Sequence, residues 1–291
     1  MDRAYQHVEA CARSVGVPFS RAAYLKWCRN PGDPDRRKIE RTFGRVFAHV
    51  VMRPDDWRSV QQPSLSHVIA VTSLPPSLKP RHIRAVQSWK QAGLNVVSIN
   101  STSEVRQLRG RIAVDEFIAC DELPTAFKIP TQYVHAMLRL ASKVCESVLM
   151  INSDIEILGL QDIFRRLDDN EAMIGIRTNY SGSFQNVQRE RWGLDVFHLP
   201  RSIAQSVPES IYAIGRPFWD YWLPWLLQRD RVNLHWFGDE VFFHERHPQA
   251  WSNADWELGR TWFEETYDVS INWEMWRRRQ PFPPSRVTTI S

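Results

Sequence analysis

The chain is poor in the features that define several protein classes. It has four cysteines in 291 residues, Cys11, Cys28, Cys120 and Cys145. None forms a CxxC pair and no spacing matches a zinc pattern, so they read as reduced thiols rather than a disulfide framework or a zinc site. No apolar run approaches the roughly 20 residues that cross a bilayer. The first residues carry Asp2, Arg3 and His7 and lack the apolar core of a signal peptide. A cytoplasmic protein with no membrane insertion is therefore expected. Internal repeats and low-complexity segments are also missing. So is a Gly-rich phosphate loop after the first apolar strand, where the sequence is Thr72-Ser-Leu-Pro-Pro76.

Hydrophobic residues make up 43% of the chain, enough for a sizeable core. The net charge is +4, with basic clusters at 36–41, 79–84, 106–111 and 277–279. These fit solvated helix faces or contact with a polyanion, and nucleic acid stays open as a partner. Thirteen tryptophans lie mostly in the second half. Such rings serve for stacking on sugars or bases, or as core.

Periodicity divides the chain. Residues 1–60 read as helical, broken by the turn Asn30-Pro-Gly-Asp-Pro34. From His67 the pattern changes. Strands are expected at 67–72, 94–99, 112–114 and 147–151. Helices are expected at 81–91, with Ile83, Val86 and Trp89 on one side, after the capping box Ser101-Thr-Ser-Glu104, and over 130–144 with Tyr133, Met137, Leu140 and Val144 inward. Alternation of this kind predicts a parallel sheet with helices on both faces. Ligands of such sheets bind at the carboxyl ends of the strands, here Thr72-Ser73, Asn100 and 152–154. The second half reads as strands at 172–177, 193–199, 211–215 and 240–244 and a buried helix over Trp219–Leu227.

The stretch Val148-Leu-Met-Ile-Asn-Ser-Asp-Ile-Glu-Ile157 carries the chemistry. A buried strand runs into a polar turn and leaves Asp154 at its tip, where a carboxylate can hold a hard cation such as Mg²⁺ or Mn²⁺. The layout from His67 to Ile157 resembles the nucleotide-binding half of GT-A-type glycosyltransferases. Asn152-Ser153-Asp154 stands where that superfamily carries its DXD motif, with Asn at the first position.

The resemblance implies a GT-A-like α/β fold, a mixed, mostly parallel sheet flanked by helices. It divides the chain into a helical extension over 1–64 and a transferase domain over 65–291, with a nucleotide-binding half to 158 and an acceptor half beyond. It implies a nucleotide-sugar donor, UDP-linked in the first instance, and a divalent metal, Mn²⁺ or Mg²⁺, on Asp154. Thr72, Ser73, Asn100, Asn152 and Ser153 fall where the family meets the nucleotide, and Asn152 could instead bond sugar or ribose. Lys128 stands at a helix entry, facing phosphate, base or solvent. Asp195 falls where sugar hydroxyls bind. His244 and His247 are candidates for the further metal ligand that many members supply late in the chain.

Three carboxylates are candidate general bases for removing the acceptor proton. Asp220 is framed by the rings of Phe218, Trp219, Tyr221 and Trp222, and could equally cap the following helix. Asp239 and Glu240 follow Gly238 at an expected turn. The acceptor hydroxyl stays open between a glycan, a protein and DNA with hydroxymethylated bases. A nucleotidyltransferase on the same type of sheet, or a non-catalytic carbohydrate- or nucleic-acid-binding protein, are the alternative readings.

Overall fold

In the computed structural model the described residues are 20, 34–35, 68–124, 126–127, 131–158, 167–249 and 251–278; the side chains at 183–192, 238–240, 275, 277 and 278 are outside the description. Apart from residues 20, 34 and 35, the expected helical extension over 1–64 lies outside the described residues, as does Lys128.

Strand β1 (Val68–Thr72) is apolar to its last residue, and its side chains alternate between two cores. Val68 and Ala70 join a cluster with Val86, Trp89 and Leu108, while Ile69 and Val71 join another with Val134, Met137 and Trp219. A sheet buried on both faces needs helices on both. Helix α1 (Pro80–Gln91) starts with proline in its first turn, and Gly93 (φ 84°) lies just beyond its end. It buries His82, Ala85, Val86, Ser88 and Trp89, whereas Ile83, expected on the same side as Val86 and Trp89, is 38% exposed. The indole N–H of Trp89 donates to Ile155 O at 2.7 Å, which settles the polar edge of a fully buried ring.

β2 (Asn95–Asn100) leads into α2 (Thr102–Leu108), capped reciprocally by Ser101 and Glu104 as the sequence predicts. β3 forms at Glu116–Ala119, not at 112–114. The reason is register: Asp115 N–H donates to Val96 O and its carboxylate accepts from Val96 N–H, so pairing with β2 begins only there. Helix α3 is shorter than expected, Val134–Ala141. Tyr133 is extended and bridges to Ala213, and Val144 beyond the far end is 54% exposed.

β4 (Ser147–Ile151) then returns to the other side of β1, and β5 (Ile155–Ile157) follows the Asp154 turn. β6 (Glu171–Ser181) and β7 (Ser183–Pro200) form a hairpin over Gly182 (φ 67°). Helix α4 (Arg201–Ser206) follows, then α5 (Trp219–Arg229), β8 (Asn233–Glu245), α6 (Asn253–Tyr267) and α7 (Trp273–Arg278). The strand expected at 211–215 is a single bridge at Ala213 followed by a turn through Gly215 (φ 70°).

Among the described residues eight strands form one sheet in the order β3-β2-β1-β4-β7-β6-β8-β5. β3, β2, β1 and β4 run parallel, and β7 joins β4 antiparallel. This is the mixed sheet flanked by helices that the sequence led us to expect. The chain leaves β1 in one direction to β2 and β3, then comes back to add β4 on the opposite edge. The reversal opens a crevice at the carboxyl ends of β1 and β4. Among the described residues no helix is long and apolar enough to cross a membrane.

Candidate active site

A cavity of about 750 Å³ lies at that crevice. Ser73 enters it from the end of β1, and Asn152, Ser153 and Asp154 from the end of β4. Two further elements bring in the histidines. β8 pairs antiparallel with β5, and the register Ile155↔His244 sets His244 beside the Asp154 turn. His247 follows just after the strand.

The three side chains converge. His247 Nε2 is 2.9 Å from Asp154 Oδ2, His244 Nε2 is 3.6 Å from the same oxygen, and the two Nε2 atoms are 3.2 Å apart. The opposite ring nitrogens are both engaged. His244 Nδ1 faces Asn179 Oδ1 at 2.9 Å, and His247 Nδ1 faces Pro248 O at 2.9 Å. The Pro248 carbonyl can only accept, so His247 Nδ1 carries a proton; with the amide oxygen of Asn179 as acceptor, the same holds for His244. Each neutral ring thus aims the lone pair of Nε2 at the shared centre. Metal-binding histidines are held in this way, with the far N–H tied to an oxygen.

The spacing also fits a cation. Ligands bound at about 2.1 Å sit roughly 3.0 Å apart in cis octahedral positions and about 3.4 Å apart in a tetrahedron. Asp154, His244 and His247 form a three-donor set whose atoms lie within 4.8 Å of one another. Without an ion, protons take over the work. Burial pushes the Asp154 carboxyl up, but hydrogen bonds from His244 and His247 outweigh this and hold it well below the usual carboxylate range. The bond to Asp154 raises the pKa of His247 in turn.

Around this set the cavity is lined by charges of both signs. Lys79 and Arg81 come from the start of α1, and Arg81 Nε is 3.8 Å from Asp154 Oδ2. Arg177 Nη1 donates to Asp195 Oδ2 at 2.6 Å, while Asn152 Nδ2 donates to Asp195 Oδ1. Asp195, only 4% exposed, is thereby doubly bonded. The sheet irregularity centres on Arg177. On β6 it lies between Ile176, which pairs with Leu194, and Thr178, which pairs with Arg189; its other neighbour, β8, jumps from Phe237 to Phe242 over the same stretch. Both flanking strands bulge there, which opens the sheet beside the cavity. Gly193 lies so close that a Cβ would stand 2.4 Å from Arg177 Nε.

The remaining wall runs from Ile214 to Tyr221 and includes Asp220. Its backbone is held by Phe218, a fully buried residue with φ 81° at the start of α5. A left-handed phenylalanine costs of order 1–3 kcal/mol and persists only where packing dictates it. Here the ring is ringed by Tyr212, Tyr221, Trp256, Phe263 and Trp273, with centroids 5.0 to 5.9 Å away.

Of the residues singled out from the sequence, Ser73, Asn152, Ser153, Asp154, Asp195, Asp220, His244 and His247 thus line one cavity. Thr72 and Asn100 are fully buried beneath it. Asn100 Nδ2 donates to Leu74 O at 2.8 Å and to Glu104 Oε2 at 3.2 Å, and its carbonyl oxygen accepts from Ser98 Oγ at 2.6 Å, so it braces the loop that carries Ser73. Asp239 and Glu240 lie in β8, at the bulge rather than at a turn, and their side chains are outside the description. Sequence reading missed Arg81, Arg177 and Arg216 as lining residues. Arg177 gave a signal, a lone cation closing the apolar run 172–176; Arg81 lay in a basic cluster that reads as solvated surface.

No family model matches the chain, and no curated protein does. Solved structures similar to it include glycosyltransferases. GalNAc-T7, in a structure with UDP, GalNAc and Mn²⁺, is 9% identical over 75% of this chain at a TM-score of 0.47, and the chain spans 52% of that protein. GlyE of Streptococcus pneumoniae TIGR4 is 12% identical over 73% of this chain and 62% of its own, with a TM-score of 0.37. The galactosyltransferase LgtC, with donor and acceptor sugar analogs, is 15% identical over 72% of this chain and 99% of its own, with a TM-score of 0.34. Similarity at this level carries no argument about activity, and the functional reading rests on the cavity itself.

Proposed function

We propose that this chain is a metal-dependent glycosyltransferase that moves a sugar from a nucleotide-sugar donor to an acceptor hydroxyl. The observation that carries the reading is the convergence of Asp154, His244 and His247 on one point, at the switch-point crevice of a GT-A-like sheet. A divalent cation held there would supply positive charge to the diphosphate leaving group. Two imidazoles beside one carboxylate suit Mn²⁺ or another transition ion better than Mg²⁺, which prefers oxygen ligands.

The chain's own residues do the rest. Lys79 and Arg81 bring further positive charge to the same wall and suit phosphate oxygens. Ser73, Asn152, Ser153 and the Arg177–Asp195 pair suit the hydroxyls of ribose and sugar. In the transfer the acceptor oxygen bonds to the anomeric carbon, the bond from that carbon to the diphosphate breaks, and the diphosphate departs with the electron pair. The hydroxyl proton goes to a carboxylate. Asp220 is our first choice because it lines the cavity, with Asp239 and Glu240 as the alternatives.

The same three-ligand set is used by non-haem iron oxygenases. One experiment separates the two readings. Protein incubated with Mn²⁺ and UDP-sugars should release UDP in the absence of oxygen, and Asp154→Ala should not. Oxygen consumption with Fe²⁺, and no UDP release from any nucleotide sugar, would replace the transferase reading.

A further inference from the structure

Arg81, in the first turn of α1, brings its Nε to 3.8 Å from Asp154 Oδ2, the same oxygen that His244 and His247 face. That distance is too long for a hydrogen bond, and the buried Nε makes none among the described residues. The contact is one of charge alone. We infer that Arg81 makes the cation site conditional on an anion: it opposes a free divalent ion on Asp154 and favours one that arrives with a diphosphate. The inference rests on the transferase reading for the diphosphate, and on the Arg81–Asp154 contact for the opposition.

The charges at the site carry it. The donor set holds one carboxylate and two imidazoles, so a divalent ion bound there keeps a net positive charge. An ion about 2.1 Å from Oδ2 lies within about 6 Å of Arg81 Nε. That is inside the screening length of about 8 Å at physiological salt. Arg81 and Asp154 are each only 17% exposed, so water weakens the repulsion less than at an open surface. Asp195, the buried carboxylate of the same cavity, is already bonded to Arg177 and Asn152 and does not offset it.

A diphosphate reverses the balance, because its oxygens attract the ion and the guanidinium alike. Lys79 lines the same wall, and the first turn of α1 holds no acidic residue, so the helix N-terminus adds to the positive field. Cation and anion are therefore each held weakly alone and more strongly together. The factor by which one strengthens the other is the same in both directions. Removing the Arg81 charge then has effects of opposite sign. A free cation gains affinity, and an anion without a cation loses it, since Asp154 is left uncompensated. A purely structural role for Arg81 would weaken both.

The test uses the full chain and measures binding rather than turnover. Mn²⁺ is titrated by electron paramagnetic resonance of the free ion, alone and with UDP or inorganic pyrophosphate, with correction for the complexes these form in solution. UDP is titrated by calorimetry in metal-free buffer. In the unaltered protein UDP should tighten Mn²⁺ binding about ten-fold or more. Arg81→Gln should bind Mn²⁺ alone about three-fold more tightly and UDP alone about three-fold more weakly, and UDP should then tighten Mn²⁺ less. Arg81→Lys keeps the charge and should behave as the unaltered protein does. If UDP tightens Mn²⁺ binding but Arg81→Gln binds Mn²⁺ alone no better than the unaltered protein, the inference is overturned and the transferase reading stands. Arg81→Lys behaving as Arg81→Gln also overturns the inference alone, because shape and not charge is then at work. Mn²⁺ binding that neither UDP nor pyrophosphate changes, or no Mn²⁺ binding at all, overturns the inference and the transferase reading together.

Discussion

His244 Nε2 and His247 Nε2 lie 3.2 Å apart, each on a ring whose Nδ1 faces an oxygen acceptor. Two lone pairs at that distance repel unless a proton or a cation stands between them. Mn²⁺ titration followed by electron paramagnetic resonance should therefore give one bound ion per chain, lost in Asp154→Ala and in His247→Ala. Asn179→Ala leaves all three donors but frees the His244 ring to turn, and should weaken binding about 10- to 100-fold. Unchanged affinity in Asn179→Ala would mean that His244 is not a ligand.

Asp220 lies in the first turn of α5 and lines the same cavity as Asp154, His244 and His247. In the proposed role of general base it would act on the acceptor and not on the donor. Asp220→Asn should lower turnover about 10²-fold or more, with Mn²⁺ affinity and nucleotide affinity unchanged. Wild-type turnover would transfer the role to Asp239 or Glu240, whose Asn and Gln variants are then compared in the same assay.

Arg84 pins the two segments that carry Asp154 and His244. From α1 its Nε donates to Glu156 Oε1 at 3.2 Å, and its Nη2 donates to Tyr180 OH at 3.2 Å and to Glu245 Oε2 at 2.6 Å. Glu156 follows Asp154 by two residues, Glu245 follows His244, and Tyr180 follows Asn179. The Tyr180 hydroxyl also donates to Glu156 Oε1, and burial is the first cause pushing its own pKa up. Arg84→Met strands the buried Glu156 carboxylate. Because Arg84 is itself 40% exposed, solvent screens part of the loss, and about 2 kcal/mol of destabilisation is expected rather than the 3–5 of a fully buried pair. Denaturant unfolding checks this, and adding Glu156→Gln to the variant should restore part of the stability.

Two buried histidines make folding sensitive to acid. Burial lowers the pKa of His82 to about 4, and that of His135 also falls, again chiefly through burial. Both rings accept a backbone N–H at Nδ1, His82 from Lys79 at 3.1 Å and His135 from Ser210 at 3.3 Å, and a protonated ring could not. The unfolded chain takes up these protons near pH 6.5, before the folded chain does. Their stabilisation is therefore complete above about pH 7 and falls away as pH drops from about 6.5 toward 4. His82→Gln with His135→Gln should reduce the stability difference between pH 7.5 and 4.5 by of order 2 kcal/mol, read by urea unfolding at the two pH values. An undiminished difference would assign the acid sensitivity to other groups.

What could be read from the sequence is what is decided within a few residues. Ser147–Ile151 is a strand because five successive residues suit burial on both faces, and Asp154 falls at its tip because Asn-Ser-Asp cannot continue it. Ser101 and Glu104 cap each other because both donors and acceptors lie within one helical turn. The parallel run of β1, β2 and β4 follows from alternation of strand and helix, whereas their order in the sheet does not. The meeting of Asp154 with His244 and His247 does not, because 90 residues and the antiparallel register of β5 on β8 stand between them. The pairing of Arg177 with Asp195 needs two bulged strands side by side, and the exposure of Ile83 and Val144 depends on where neighbouring elements stop. Periodicity records which side of an element is apolar; only the folded sheet decides which distant side chains that apolar side brings to the same point.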